Sequence, residues 1–194
     1  MSSFSSYNLT YVYSLLVINN NALTNISYCT LTNLQTLSIT NSSNISLINN
    51  TLGSLVSVTL ANVSLTSGLL VSDTTIEILY LQNNGLKTLD LTSFPNLKEL
   101  TTIGNSLDSL SISNLQYLNS VVVSDQKISN LSLSNTNVTY LKLTTNNIEY
   151  ISIVNTPLSV FVDNYLESLK SLTLVNNNLT QFSNNSLGRV ESIT

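Results

Sequence analysis

The leucines and isoleucines of this chain recur every 21 residues, and that period constrains the fold more than any other feature of the sequence. Residues 76–96, IEILYLQNNGLKTLDLTSFPN, form the clearest copy: Ile76, Leu79, Leu81, Asn84 and Leu86 fit L-x-x-L-x-L-x-x-N-x-L, and Leu89 and Leu91 add x-x-L-x-L. Moving on by 21 lands on Leu97, Leu100, Asn105, Leu107, Leu110 and Ile112, and again on Leu118, Val121, Val123, Ile128, Leu131 and Leu133. A unit this short cannot bury its apolar face alone, so copies must stack as the rungs of a solenoid and share one core.

Repeats are read as beginning at Tyr13, Leu34, Leu55, Ile76, Leu97 and Leu118, then one residue early at Val138. Next come a compressed copy near 157–168, with Val160 and Val162 taken as inward, and a full copy carrying Leu169, Leu172, Leu174, Asn177, Leu179 and Phe182. The stretch from Val190 to Ile193 reads as the start of one more repeat. Residues 1–194 are therefore expected to form a single solenoid domain. Neither end shows a polar cap, so the chain is read as a fragment of a longer array whose bare rungs invite end-to-end self-association.

Within each repeat, apolar residues alternate at positions four and six, as at Leu79 and Leu81, which suits a short parallel strand with every second side chain inward. The second half repeats the alternation in Leu89-Asp-Leu91, Leu110-Ser-Ile112, Leu131-Ser-Leu133 and Ile151-Ser-Ile153, so strands or extended turns are expected opposite the first set. Asparagine at position nine (Asn21, Asn84, Asn105, Asn146, Asn177) is expected to turn inward and satisfy backbone groups left unpaired at the corner. Ser42 and Val63 replace it in two repeats.

Composition excludes several functions. Charged residues make up only 8% of the chain and histidine is absent, so 29 Asn, 32 Ser and 23 Thr must supply its polarity. Six Lys plus Arg against ten acids leave no basic stripe for a nucleic acid, which is rejected as a partner. No apolar stretch is long enough to span a membrane, and Met1-Ser-Ser-Phe-Ser-Ser has no secretory-signal character. Ten N-x-[ST] sequons begin at Asn8, Asn25, Asn41, Asn44, Asn49, Asn62, Asn130, Asn137, Asn178 and Asn184, close to the number this composition gives by chance.

Without histidine, general acid–base work near neutrality would fall to a carboxylate pair. Glu99 and Asp125, on successive rungs, are the one pair that could face each other, and nothing in the sequence encloses them. Cys29 has no histidine to activate it and is read as an inert thiol. No zinc, phosphate-loop or calcium-loop pattern occurs. The expectation is no enzyme, no cofactor and no metal.

The segments Ile76 to Leu86 and Leu97 to Leu107 resemble the leucine-rich repeat family, the second with Thr102 where leucine is usual. Leu86-Lys-Thr-Leu89-Asp-Leu91 is similar to the second half of its short 21-residue class, called IRREKO. The resemblance implies a right-handed superhelix with a parallel sheet on its concave face, short strands or turns on the convex side, and a noncatalytic scaffold binding proteins or glycans.

Positions three, five and seven of each repeat should face outward on that sheet. They place Ile78, Tyr80, Ile103, Val122, Tyr140 and Phe161 beside Glu99, Lys142 and Asp163 as the candidate ligand-binding surface, an aromatic cluster with a few charges. Thr36, Ser38, Thr40, Ser57 and Thr59 form a hydroxyl-rich early surface. The chain is thus read as part of a cell-surface or secreted adhesin or receptor. The alternatives are a stiff spacer rod without a ligand and an ice-binding face, the latter opposed by threonines that do not recur at every rung.

Overall fold

A computed structural model describes residues 3–42, 45–65, 75–144 and 147–194, with only the backbone described at 46–48. The sequon at Asn44 and the corner residue Asn146 lie outside the described residues. The chain is a parallel β-solenoid with no helix among the described residues.

Nine parallel strands stack along one side: Ser14–Ile18, Thr36–Ser42, Ser57–Val63, Ile78–Gln82, Glu99–Ile103, Ser120–Ser124, Tyr140–Thr144, Val160–Val162 and Gln181–Ser183. Their registers pair Leu37 with Val58, Leu79, Leu100, Val121 and Leu141 in turn, one inward residue over the next. A single apolar cluster runs through the stack, from Val17 to Leu172.

Among the described residues the opposite side is interrupted. Ser3–Ser5, Asn25–Ser27 and Ser46–Ile48 pair at one end. Ser109–Ser113, Asn130–Ser134, Tyr150–Val154, Ser171–Val175 and Ser192–Ile193 pair at the other. Between them the Leu89-Asp-Leu91 segment takes the turn rather than the strand of the two expected forms: the Asp90 carboxylate accepts from the Thr92 amide (2.9 Å) and hydroxyl (2.8 Å) and folds the chain into a turn. Those two bonds, the backbone one first, hold the Asp90 pKa below its ordinary value.

Asparagine does two jobs at the corners. The inward set carries the polar ladder: Asn105 Oδ1 accepts from the Asn84 amide (2.9 Å), while Asn105 Nδ2 donates to the Leu81 carbonyl (3.1 Å) and Asn84 Nδ2 to that of Leu60 (2.8 Å). Asn164 and Asn185 continue it, and the Ser42 hydroxyl stands in by accepting from the Asn20 amide (3.2 Å). A second set sits at positive φ, where the short amide side chain tolerates a left-handed backbone: Asn19, Asn41, Asn62 and Asn83 at one corner, Asn114, Asn135, Asn155 and Asn176 at the other. Their amides chain outside the stack, Asn83 to Asn62 (2.9 Å) and Asn62 to Asn41 (2.7 Å). Gly104, at φ 61°, takes the next left-handed corner of this run.

Four expectations change. The first rung begins at Val12, not Tyr13: Leu15 pairs with Leu37 and Val17 with Ile39, so Val17 turns inward while Leu16 is 60% exposed. Asn20 therefore takes the corner, its Oδ1 accepting from Leu23 N (2.9 Å), and Asn21 is exposed. No compressed copy is inserted near 157–168, because Val160 pairs with Tyr140 and Phe161 with Phe182, and rungs start at Leu158 and Leu179. Leu172 and Leu174, read as first-half positions, lie on the second side opposite Ile151 and Ile153; the Val190 to Ile193 stretch likewise leads into a second-side strand.

Candidate ligand-binding faces

Parallel in-register stacking sets the outward side chains of the nine-stranded sheet in rows. One row runs Ser57, Ile78, Glu99, Ser120, Tyr140, Val160; the next runs Thr59, Tyr80, Thr101, Val122, Lys142; a third runs Gln82, Ile103, Ser124, Thr144. Neighbouring strands lie about 4.8 Å apart, and diagonal neighbours are within reach of long side chains. Tyr80, Ile103, Val122 and Tyr140 thereby form a diagonal band, each on the strand next to the last, with Ile78 and Glu99 on one flank and Lys142 beside Val122. Tyr140 is 45% exposed, and the Tyr80 hydroxyl donates to Gln82 Oε1 (2.9 Å), which fixes its ring on the face.

Two of the expected residues leave this surface. Phe161 is fully buried, because its rung has a three-residue strand in which Phe161 takes the inward place opposite Phe182, their rings 5.5 Å apart. Val160 faces outward beside Tyr140 instead. Asp163 sits at the left-handed corner (φ 54°) rather than on the sheet. Ser171 and Thr173, read as part of the same face, stand on the second side. The expected Thr36, Ser38, Thr40, Ser57 and Thr59 do occupy outward places, in a block beside the band.

The second side holds a surface that sequence reasoning passed over. Ser111, Ser132, Ser152 and Thr173 stand in one outward column across four rungs, in a shallow groove of about 330 Å³ that also takes in Tyr150. Its signal was present in the recurring L-S-I and I-S-I triplets, read there only for their inward members. At its margin Lys170 Nζ meets Glu149 Oε2 at 2.8 Å and lies 5.9 Å from the Tyr150 ring centre. The hydrogen bond to Glu149, with the charges of Glu149, Tyr150 and Glu191 adding to it against partial desolvation, raises the Lys170 pKa above its ordinary value.

Glu99 and Asp125 do not face each other: Glu99 opens its strand and pairs with Ser120, whereas Asp125 follows the far end of the next strand at a positive-φ corner. Cys29 is buried, its amide donating to Asn50 Oδ1 (3.0 Å) and its thiol to the Ser27 carbonyl (3.4 Å). Among the described residues no group of three or more Cys, Asp or Glu side chains gathers in a way that could hold a metal ion, and no helix is long and apolar enough to cross a membrane. No protein-family model matches the sequence, and no significant match is found among curated proteins or solved structures.

Proposed function

We propose that the chain is a noncatalytic binding scaffold of leucine-rich-repeat type, part of a cell-surface or secreted protein, that recognises a protein or glycan on the outward face of its nine-stranded sheet. The observation that carries this reading is the diagonal band of Tyr80, Ile103, Val122 and Tyr140, with Lys142 and Glu99 at its edge. Aromatic and aliphatic side chains held on a rigid sheet lose little freedom on binding, and a few charges beside them set orientation. The repeat type is supported by the Ile76 to Leu86 and Leu97 to Leu107 segments.

The test is a glycan and protein array probed with the parent chain and with a Tyr80→Ser, Tyr140→Ser double variant. Both rings stand on the solvent side, so the fold should survive and each genuine hit should weaken at least about tenfold. A variant that keeps every hit at parental strength overturns the assignment and favours the spacer rod, for which these rings are only surface.

A further inference from the structure

The one Asn-Gly pair in the sequence, Asn84-Gly85, falls at a corner of the polar ladder. In that dipeptide a backbone amide attacks the preceding side-chain amide most readily, because glycine has no side chain to hinder the approach. The other ladder asparagines, Asn20, Asn105, Asn164 and Asn185, precede Asn21, Ser106, Tyr165 and Ser186, each with a side chain in the way. Gly85 is exposed at φ 71°, with nothing within 4 Å of where a Cβ would stand.

Asn84 is placed in the opposite way, buried and held by the rungs on either side. Its Oδ1 accepts from the Val63 amide (3.1 Å) and its Nδ2 donates to the Leu60 carbonyl (2.8 Å), while its backbone amide donates to Asn105 Oδ1 (2.9 Å). Cγ can turn to the Gly85 nitrogen only when the first two bonds break. The closed corner also keeps out the water and base that the reaction needs. This rung has strand pairing on its first side only, since Leu86 to Asn96 contains no strand, and local opening draws on such thinly paired segments.

We propose that Asn84 is a site of spontaneous deamidation that the folded corner holds shut, so that the modification occurs when the rung opens and then keeps it open. The Gly85 nitrogen gives up its proton and forms a bond to Asn84 Cγ; the Cγ–Nδ2 bond breaks, and Nδ2 leaves as ammonia carrying that proton. Water then adds to either carbonyl of the cyclic imide and breaks its bond to nitrogen, leaving aspartate or isoaspartate in place of asparagine. No oxidant or reductant takes part. Either product is wrong for the corner. Aspartate sets a buried carboxylate oxygen against the Leu60 carbonyl, where a donor stood, and isoaspartate lengthens the backbone within the register.

Peptide mass mapping of the chain held at mildly alkaline pH reads the site directly. In urea Asn84 should deamidate faster than any other asparagine, and in the native state at least about tenfold more slowly than in urea. Gly85→Ala, compared in urea where backbone strain has no effect, should lower the reaction at Asn84 to the level of the other asparagines. Leu81→Ala, which weakens the strand leading into the corner at a fully buried position, should raise the native rate toward the urea rate. Asn84→Asp should lose the closed corner, seen as a lower urea midpoint or as an unfolded circular dichroism spectrum. Equal native and urea rates, an unchanged rate in Gly85→Ala, or a parental midpoint for Asn84→Asp overturns the proposal.

Discussion

The two sides of the solenoid are made from nearly the same half-repeat, L-x-L, yet among the described residues one is an unbroken nine-stranded sheet and the other falls into separate sheets. The difference lies in the corner at the end of each strand. On the first side the side chain of an inward Asn or Gln, or the Ser42 hydroxyl, bonds across to the adjacent rung, the Val63 amide itself donating to Asn84 Oδ1, so these strands are held in register by side chains as well as by the backbone. On the second side the corners vary: Asn50, Thr136, Thr156 and Asn177 take the equivalent places, and at Asp90 the carboxylate draws the chain into a turn. A hydrophobic alternation permits a strand. Whether the strand forms depends on whether the next corner returns the chain to its neighbour's height.

The largest expected effect tests core packing on the two sides. Phe161→Ala, at a fully buried first-side position, should cost about 3–5 kcal/mol in urea denaturation. Leu89→Ala, on the second-side segment that forms no strand and is only partly buried, should cost about 1–2 kcal/mol. Equal losses would show that the broken side is as tightly held as the continuous one.

The corners give the next contrast. Asn105→Ala strips the Asn84 amide and the Leu81 carbonyl of buried partners and should cost about 2–4 kcal/mol. Thr156→Val removes one hydroxyl from the Thr136–Thr156 pair (3.3 Å) and should cost about 1 kcal/mol. If the two variants melt together, the asparagine ladder is not what keeps the first side continuous.

The smallest effect belongs to the surface ion pairs Lys98–Glu77 and Lys170–Glu149, both at 2.8 Å and both widely exposed. Lys170→Met should leave the thermal midpoint unchanged within error, since exposed pairs contribute little and salt screens them. The sign of the linkage is fixed even so. The folded-state pKa of Lys170 is raised, so its contribution is fully present below 10.5 and fades as pH rises through the folded value; that of Asp90 is lowered, so its contribution is present above 3.8 and fades as pH falls through the folded value. A clear drop on removing Lys170 would point to its contact with Tyr150 as a packing element rather than a charge effect.

Much of the outward band could be read from the repeat because Tyr80, Ile103, Val122 and Tyr140 lie in rungs whose period holds at 20 or 21. Phe161 could not. Its rung keeps its overall length but moves two residues from the strand to the following turn, so counting from Val160 assigns the wrong face. A slip of one place inverts inside and outside, because side chains on a strand alternate. Tyr13 and Val17 failed in the same way, through a spacing of 22 between Leu15 and Leu37. Leu169 to Asn177 failed for another reason: the two halves of a rung share one apolar pattern, and nothing local says which side a given copy occupies.

The sequence by itself determined that this chain coils with one rung about every 21 residues around an aliphatic bore, because only stacked neighbours can bury so short a period. It also determined which residue types stand at the corners, since a left-handed backbone and an unpaired amide both favour asparagine. Only the tertiary structure decided register where the period drifts, which side each half-rung joins, and which outward residues become neighbours. Those choices depend on hydrogen bonds between residues 20 to 22 apart, such as Asn20 with Ser42 and Asn84 with Asn105. No local propensity encodes a partner at that distance.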